Sequence, residues 1–419
     1  RRVDPPPLLS YTAAPGDGRR RKAGSIDMDG GVAAELTASS EAIERLDAAI
    51  AARTATIGIV GLGYVGLPLA VAVSAAGFPV LGVDVDAAKI DDLAAGRAYI
   101  RQVAPATIAA MNATGRFSAT HDLGRLGEAD AILICVPTPL GRHREPDLTY
   151  VERTAQAIAA TLRPGQLVVL ESTTYPGTTD EIVRPILERS SLLSGRDFLL
   201  AYSPEREDPG NAIHATAAIP KVVAGDGEAA QRIALAFYGA VVAKTVPVSS
   251  PAVAEAVKIT ENVFRAVNIA LVNELKQVYG AMGIDVWEVI EAASTKPFGF
   301  MPFQPGPGLG GHCIPIDPFY LSWKAREFDV ASRFIELAGE INTAMPRLVV
   351  ERLAEALDER SQKGLNGADI LVLGLAYKKN VDDTRESPAL RLMELIEARG
   401  ARASYHDPLI PVLPPTREH

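Results

Sequence analysis

One glycine-rich turn constrains the fold of this chain more than any other feature, GLGYVG at residues 61–66. The apolar run at 56–60 predicts a buried strand before it, and the residues after it, to Ala76, predict a helix. A second apolar run, 79–83, ends at Asp84, about twenty residues beyond the glycines. This order of strand, glycine turn, helix, strand and acid predicts a βα unit of a parallel, doubly wound sheet.

The same turn predicts a site for the dinucleotide NAD. Gly61 allows the tight turn, Gly63 lets a pyrophosphate approach the backbone, and Gly66 lets helix and strand pack closely, while the helix N-terminus stabilises phosphate charge. A carboxylate at Asp84 suits ribose hydroxyls and repels a 2′-phosphate. No arginine follows it directly, so the sequence favours NAD over NADP. A glycine-rich turn in another kind of α/β protein is the alternative.

Further apolar runs predict the rest of the sheet, at 131–136, 167–170 and 199–203, with room for helices between them. Residues 252–279 contain no Gly or Pro and predict a long helix that links two domains. A last βα unit is predicted from Asp369 to Tyr405. We therefore expect an α/β protein with two Rossmann-like doubly wound domains joined by a long central helix, the C-terminal domain being truncated.

The predicted domain boundaries are 1–36 for a disordered leader, 37–250 for an NAD-binding domain, 251–345 for a central helical domain and 346–419 for a partial C-terminal domain. The leader is rich in Pro, Gly and Arg and has no hydrophobic periodicity. Ser39 or Ser40 is predicted to cap a short helix. The chain ends at His419, soon after the last predicted strand, which leaves the final sheet with few strands.

Composition excludes several classes of function. The net charge of -9 argues against nucleic acid as a partner. No apolar run reaches the roughly eighteen residues that span a bilayer. The two cysteines, Cys135 and Cys313, are far apart, so no disulfide framework is expected and a reducing cytoplasm is favoured. We predict a cytoplasmic protein without a metal site or a membrane partner.

A second glycine-rich loop predicts chemistry, PGPGLGGHCIPIDP at 305–318. It carries the thiol of Cys313, with the carboxylate of Asp317 four residues on. Glycines let a substrate approach and prolines stiffen the loop, so the pattern favours a nucleophilic thiol over the alternative, a buried structural cysteine. His312 is interpreted as a loop-shaping residue. Cys135 lies within an apolar strand and is interpreted as a packing residue.

Three polar segments accompany this loop. Lys258 and Asn262 are four residues apart on the long helix, so they share a face and could stabilise an oxyanion; a solvated helix face is the alternative. The segments 171–177 and 203–210 follow predicted strands, where α/β sheets bind ligands. A plain turn and a surface charge run are their alternative interpretations.

Taken together, residues 54–407 resemble the nucleotide-sugar 6-dehydrogenases, the family of UDP-glucose and UDP-N-acetylhexosamine dehydrogenases. The motifs that carry the resemblance are GLGYVGLPLA, VPTP at 136–139, ESTTYPGTT, SPERE, the helix with Lys258 and Asn262, GGHC with Asp317, and LGLAYKKNVDDTRESP at 373–388. The resemblance implies oxidation of the C6 alcohol of a UDP-sugar to a carboxylate, with two NAD molecules used in turn at one site.

The resemblance also implies residue roles. Cys313 would capture the aldehyde as a thiohemiacetal, which a second oxidation turns into a thioester. Lys258 and Asn262 would stabilise the oxyanions. Asp317 and Thr173 would position or activate the water for proton transfer and hydrolysis.

Glu205 would assist hydrolysis of the thioester, and Arg206 would lie near the sugar. The implied cofactor contacts are Gly61, Gly63, Tyr64, Val65, Gly66, Asp84, Lys89, Pro137, Thr138, Thr173 and Arg385. The implied substrate contacts are Glu205, Arg206, Lys258, Asn262, Gly308, Gly310, Tyr377 and Lys378.

SPERE and GGHCIPIDP resemble the N-acetylhexosamine branch, which implies UDP-N-acetylglucosamine as substrate, with the manno epimer next. Ile316 and Pro209 stand where members that act on UDP-glucose commonly carry a lysine and an acid. Two alternatives to this function are a two-electron hydroxyacid dehydrogenase, which has no use for Cys313, and a non-catalytic NAD-binding module. A thiol hydrolase would leave the glycine turn unexplained.

The long helix also predicts a homodimer. Its face with Val263, Val267, Leu271 and Leu275 is larger than one small domain could cover.

Overall fold

The computed structural model describes residues 28–141, 143–206, 218–311 and 313–413, with side chains from residue 37 onwards. The helices are α1 (Met28–Ala51), α2 (Gly66–Ala75), α3 (Ala87–Ala94), α4 (Pro105–Ala113), α5 (Thr149–Thr161), α6 (Arg184–Leu187), α7 (Glu228–Val241), α8 (Pro251–Ala281), α9 (Val286–Ser294), α10 (Asp317–Ala325), α11 (Arg333–Ser361) and α12 (Pro388–Glu397). The strands are β1 (Ile57–Val60), β2 (Val80–Val83), β3 (Phe117–Thr120), β4 (Ala131–Ile134), β5 (Leu167–Leu170), β6 (Leu199–Tyr202), β7 (Lys221–Gly225), β8 (Thr245–Pro247), β9 (Asp369–Leu373) and β10 (Arg402–His406).

Strands β1 to β8 form one sheet in the order β3-β2-β1-β4-β5-β6-β7-β8. All neighbouring strands are parallel except β6 and β7, which are antiparallel. Alternate side chains pack into separate cores on the two faces: Leu167 and Val169 face one core, and Val168 and Leu170 face the other. Strands buried on both faces read as continuous apolar runs, which is why the sequence predicted them. The α/β fold is confirmed; the antiparallel pair was not predicted.

The strand order reverses between β1 and β4, and parallel sheets bind ligands beyond the carboxyl ends of the strands at such a point. The segments that follow β1, β4, β5 and β6 all emerge at this edge. They carry Gly61, Thr138, Thr173 and Glu205, so the topology gathers four predicted site residues at one edge of the sheet.

Helix α8 extends over the predicted segment and links the sheet to the rest of the chain. Ser250 caps its first turn by accepting from the Val253 amide at 3.3 Å, and Pro251 occupies the first helical position. Helices α10 and α11 pack on α8. Between α8 and α11, the buried Asn342 amide accepts from Asn273 at 2.9 Å and donates to the Ala266 carbonyl at 3.0 Å.

This packing changes which face of α8 is left uncovered. Val263, Val267 and Leu275, predicted to be uncovered, are half-buried. The exposed apolar side chains of α8 instead include Phe264, Leu271, Val278 and Met282, spaced so that they form one stripe.

The second sheet pairs β9 with β10 in parallel, and α12 connects them, as the predicted βα unit requires. This C-terminal region is small, and its strands alternate between half-buried and exposed residues. Leu371 and Leu373 are 57% and 76% exposed. In the described part of the chain, no helix is both long enough and apolar enough to cross a membrane.

The predicted helix start at Ser39 or Ser40 is wrong, because α1 begins at Met28. It therefore includes part of the segment that was predicted to be disordered. Ser39 is not a cap: its hydroxyl donates to the Asp197 carboxylate at 2.8 Å, which ties α1 to the loop before β6. Residues 1–27 of the predicted leader lie outside the described residues.

Candidate active site

The glycine turn after β1 has the shape that a dinucleotide requires. Gly61 has φ +91°, and a Cβ there would lie 2.5 Å from the Cys135 carbonyl oxygen. A Cβ at Gly66 would overlap the carbonyl of Gly61, whereas no atom lies within 4 Å of a Cβ at Gly63. Packing thus requires glycine at positions 61 and 66, and the space in front of Gly63 is open to a ligand. The residues present therefore fit NAD.

The end of β2 presents the predicted ribose ligand. The buried Asp84 carboxylate accepts from the Leu62 amide at 2.8 Å and from the Asp86 amide at 3.0 Å, and it pairs with Lys89 at 2.9 Å. Three donors fix its orientation beside the glycine turn. Val65, just before α2, packs against the core on the same side of the sheet.

The C-terminal region reaches this turn through Arg385. Its guanidinium lies 4.3 Å from the centroid of the Tyr64 ring and donates to Asp383 at 2.6 Å. Burial and Asp383 raise the pKa of Tyr64. A cation from one domain therefore stacks beside the phosphate-binding turn of another.

The segment after β4 contacts the segment after β5 and helix α10, which follows the loop at 305–318 that carries Cys313 (the thiol loop). Thr138 is buried, and its hydroxyl donates to the Thr173 carbonyl at 2.8 Å. The hydroxyl of Tyr320 on α10 donates to the Thr138 carbonyl and lies 3.2 Å from the Pro139 carbonyl. Tyr320 was not predicted, because a tyrosine in an apolar helix face reads as an ordinary core residue.

Cys313 lies in the turn that begins α10, where its carbonyl accepts from the Asp317 amide at 2.8 Å and from the Ile316 amide at 3.2 Å. Lys258 and Asn262 are buried on α8, so the solvated-face interpretation is wrong. The Asn262 amide nitrogen donates to the Asp317 carboxylate at 2.6 Å. The structure therefore brings the thiol loop against the predicted Lys/Asn face of α8.

Charge in this cluster is only partly compensated. Burial raises the pKa of Asp317 to about 7, although Lys258 and Asn262 oppose the shift. Burial and then Asp317 raise the pKa of the Cys313 thiol, while Lys258, Arg265 and Arg385 lower it. Burial therefore disfavours the thiolate of Cys313, and a carboxylate with a pKa near neutrality lies beside it.

The glycine loop before Cys313 forms a wall with the C-terminal region. Gly308 has φ +142°, and a Cβ at Gly310 would lie 2.6 Å from the Cβ of Tyr377. The Gly311 amide donates to the Arg385 carbonyl at 3.0 Å. The ammonium of Lys378 lies 5.7 Å from the Tyr377 ring centroid.

A pocket of about 780 Å³ opens beside this wall, a size typical of ligand sites. Its lining includes Pro137 from the segment after β4, Ile316 from the thiol loop and Arg385 from the C-terminal region. Cys313 is not part of this lining. The pocket therefore lies beside the thiol loop rather than over the sulfur.

Comparison with known proteins decides the family. The UDP-glucose/GDP-mannose dehydrogenase family matches in three parts: its NAD binding domain at residues 55–242, its central domain at 252–344 and its UDP binding domain at 371–419. The chain belongs to the UDP-glucose/GDP-mannose dehydrogenase family. It is an NAD-dependent UDP-sugar 6-dehydrogenase, an oxidoreductase.

Several relatives share this similarity. The UDP-N-acetyl-D-glucosamine 6-dehydrogenase of Pseudomonas aeruginosa is 36% identical over 356 residues, which cover 84% of this chain and 83% of the relative. The NDP-N-acetyl-D-galactosaminuronic acid dehydrogenase of Ralstonia solanacearum is 35% identical, covering 89% and 88%. The solved structure of the UDP-D-ManNAc dehydrogenase from Pyrococcus horikoshii superimposes with a TM-score of 0.80 at 36% identity, and the match covers 84% of each chain.

The dehydrogenase contains a second buried charge cluster at the edge of the sheet. Lys221, at the start of β7, pairs with Glu171 and lies 3.6 Å from Glu205. The Tyr238 hydroxyl donates to Glu171. Although burial lowers it, Glu171 and Glu205 raise the pKa of Lys221, so the ammonium stays charged. Glu171, the first residue of the predicted segment 171–177, is fully buried.

Arg206 forms an ion pair with helix α8. Its guanidinium donates to Glu261 at 2.6 Å and to the Pro220 carbonyl at 2.8 Å. Glu261 precedes Asn262, so this pair ties the segment after β6 to the Lys/Asn face. His312 and Pro209 lie outside the described residues. Cys135 is buried in the core, and its interpretation as a packing residue is confirmed.

Sequence reasoning missed Lys221 and Arg265. Lys221 opens an apolar strand, and a buried lysine needs an acid partner; that rule predicts an acid nearby but does not identify Glu171. Arg265 lies three residues after Asn262, so helical spacing alone could have placed it on the same face. Among the described residues, no group of His, Cys, Asp and Glu side chains is arranged to hold a metal ion.

Proposed function

We propose that this dehydrogenase converts UDP-N-acetylglucosamine into its uronate by two successive oxidations at C6, through a covalent intermediate on Cys313. The observation that carries the proposal is the cluster of Cys313, Lys258, Asn262 and Asp317, which joins a thiol, an ammonium, an amide donor and a carboxylate that titrates near neutrality.

NAD held at the glycine turn would supply the hydride acceptor for each of the two oxidations at C6. In the first, the alcohol loses a proton and a hydride to give the aldehyde. The thiolate of Cys313 then bonds to the aldehyde carbon and forms a thiohemiacetal. Its oxygen carries the developing negative charge, and the buried donors of Lys258 and Asn262 stabilise that charge without reorganising.

The second oxidation turns the thiohemiacetal into a thioester. A water molecule adds to the carbonyl carbon, the C–S bond breaks, and the thiol of Cys313 is restored. Asp317 accepts the proton of the thiol or of the water, since its pKa of about 7 suits both directions of transfer. Thr173 and Glu205 hold the attacking water at the carboxyl ends of β5 and β6.

The remaining predicted contacts divide between the cofactor and the substrate. The turn at 61–66, with Tyr64 and Val65, and the Asp84–Lys89 pair hold the adenosine half of the cofactor. Pro137, Thr138 and Arg385 hold its phosphates and its nicotinamide ribose. Gly308, Gly310, Tyr377 and Lys378 bind the UDP group, while Arg206 faces the sugar.

The choice of UDP-N-acetylglucosamine goes beyond the family assignment. Relatives named for glucosamine, mannosamine and galactosaminuronic acid substrates are similarly close to this chain. Ile316 is apolar and buried, which fits the branch implied by SPERE and GGHCIPIDP. A reducing cytoplasm suits a catalytic thiol, and we place the enzyme there.

The test supplies NAD and one UDP-sugar at a time: the N-acetylglucosamine, N-acetylmannosamine and glucose forms. Mass spectrometry identifies the product, and NADH absorbance gives kcat/KM. The uronate of N-acetylglucosamine should form with the highest kcat/KM. A higher value for either other sugar rejects the substrate assignment, and absence of any uronate rejects the function.

We also propose that two copies pair through the stripe of Phe264, Leu271, Val278 and Met282 on α8. Light scattering after size exclusion should give the mass of a dimer, and Leu271→Glu should give a monomer, because it places a charge in the buried contact. A monomeric wild type would reject the pairing.

A further inference from the structure

Arg265 occupies the turn of α8 that follows Asn262 and makes a specific contact there. Its guanidinium donates to the Asn262 amide oxygen at 2.7 Å, while the Asn262 amide nitrogen donates to Asp317 at 2.6 Å. We propose that Arg265 is a positioning residue of the dehydrogenase, which fixes the Asn262 amide so that its NH2 group faces Asp317 and the substrate oxygen. This inference rests on the proposed covalent mechanism for the role of Asn262.

The two ends of an amide are chemically different. Arg265 has only donors, so it selects the amide oxygen, and an ionised Asp317 has only acceptors, so it selects the nitrogen. Both partners therefore favour one orientation of the Asn262 side chain. The second hydrogen of the NH2 group stays available for an oxyanion. Rotation of the amide by about 180° would instead point an oxygen at the developing charge, which is repulsive.

Arg265 also contributes charge to the thiol site. The ionisable groups that act on Cys313 come from three parts of the fold: Asp317 on α10, Lys258 and Arg265 on α8, and Arg385 in the C-terminal region. The groups that act on Asp317 are Lys258, Asn262 and Arg265. Arg265 lowers the pKa of both the thiol and the carboxyl group. Loss of its charge must therefore shift both titrations to higher pH.

A purely structural role is the competing explanation. A hydrogen bond between residues three apart on a helix stabilises the helix only slightly. Such a bond would leave both the titration of Cys313 and kcat unchanged. The thiol titration reports the charge of Arg265, and kcat reports the orientation of the Asn262 amide, so the two measurements together separate a positioning residue from a helix-stabilising one.

The experiment uses the full chain and the variants Arg265→Met, Arg265→Lys and Arg352→Met. Arg352 is exposed on α11 and pairs with Glu355, so it controls for loss of one positive charge. The rate of iodoacetamide reaction at Cys313 is followed against pH by peptide mass spectrometry, without substrate or NAD, and Cys313→Ser gives the background. Steady-state kcat is then measured with the UDP-sugar.

Arg265→Met should move the thiol titration upward by about half a unit to one unit and lower kcat about 10- to 100-fold. Arg265→Lys keeps a charge and a donor, so it should stay within about threefold of the wild-type kcat. Arg352→Met should match the wild type. If Arg265→Met does not fold, Arg265→Gln replaces it, because glutamine removes the charge, and its thiol titration must also move upward.

An unchanged thiol titration in the neutral variant would overturn the inference. So would a kcat within twofold of the wild type, or an Arg265→Lys variant as slow as Arg265→Met. The thiol measurement needs no substrate, so it stays informative even if the wild type oxidises no UDP-sugar. That failure would reject the proposed function separately.

Discussion

Lys221 and Lys258 of the dehydrogenase are both buried near carboxylates, yet their surroundings differ. Lys221 lies between Glu171 and Glu205, and Tyr238 donates to Glu171, so its charge is paired on two sides. Lys258 is equally buried, but its ammonium makes no hydrogen bond or ion pair with another residue in the described parts of the chain. Its charge acts on Cys313 and Asp317 through space.

This difference indicates which charge serves folding and which serves chemistry. A buried charge that the protein has already paired cannot respond strongly to a ligand, whereas an unpaired buried cation has the most to gain from a developing oxyanion. We therefore assign the Lys221–Glu171 pair to the stability of the sheet edge, and we propose the Lys258 cluster as the reactive one. Four substitutions test the contrast.

Lys221→Met should have the largest effect on stability. It leaves Glu171 ionised and unpaired in the core, so the free energy of unfolding should fall by about 3–5 kcal/mol. Urea denaturation measures the change, and Lys221→Arg, which keeps the charge, is the control. A loss below about 1 kcal/mol would show that the Lys221 cluster is not a folding element.

Lys258→Met should show the opposite pattern. It removes a cation that no carboxylate of the described residues pairs, so stability should change by only about 1 kcal/mol. The oxyanion loses a donor, and kcat should fall about 10²- to 10³-fold. Urea denaturation and steady-state kinetics on the same preparation give both values. The contrast fails if this variant is destabilised as much as Lys221→Met.

Asp317→Asn should stabilise the protein in a pH-dependent way. The folded-state pKa of Asp317, about 7, lies above the unfolded value of about 3.9. Its contribution to stability is thus fully present below about pH 4 and is lost as pH rises through 7. Relative to wild type, the variant should gain on the order of 2 kcal/mol at pH 8 and almost nothing at pH 4.

Thermal unfolding at the two pH values provides the comparison, and activity at pH 8 should be lost. Equal gains at both pH values would mean that ionisation of the buried Asp317 carboxyl group does not destabilise the fold.

Arg385→Met should have the smallest effect. Arg385 is intermediate between Lys221 and Lys258, because Asp383 pairs with its charge while its guanidinium also stacks on Tyr64. KM for NAD should rise about tenfold with little change in kcat, because the loss of one partly paired cation costs about 1–2 kcal/mol. Initial rates over a range of NAD concentrations measure this. A fall in kcat with unchanged KM would move Arg385 from cofactor binding to the chemical step.

Much of the fold could be predicted because local pattern encodes it. Strands buried on both faces are apolar throughout, and the glycines at 61 and 66 are required by contacts within one turn. The antiparallel direction of β7 was missed because an apolar run predicts a strand but not the direction of its pairing. The start of α1 was misplaced because Ser39 binds Asp197, a residue distant in the sequence.

The site residues likewise divide into those that a local pattern predicts and those that depend on distant contacts. Lys258 and Asn262 share a helix face, so their spacing was informative, and Arg265 lay within reach of the same argument. The pairing of Lys221 with Glu171 joins two strands that are not sheet neighbours. No local period reports such a contact, and a lysine in an apolar strand gives only the requirement for an acid, not its position.

The central claim is that one thiol, Cys313, carries the sugar between two oxidations at a single site. The direct measurement is the number of NADH molecules formed per UDP-N-acetylglucosamine consumed. The account predicts about two, with the uronate as product and no free aldehyde. A ratio near one, with a released aldehyde, would contradict it.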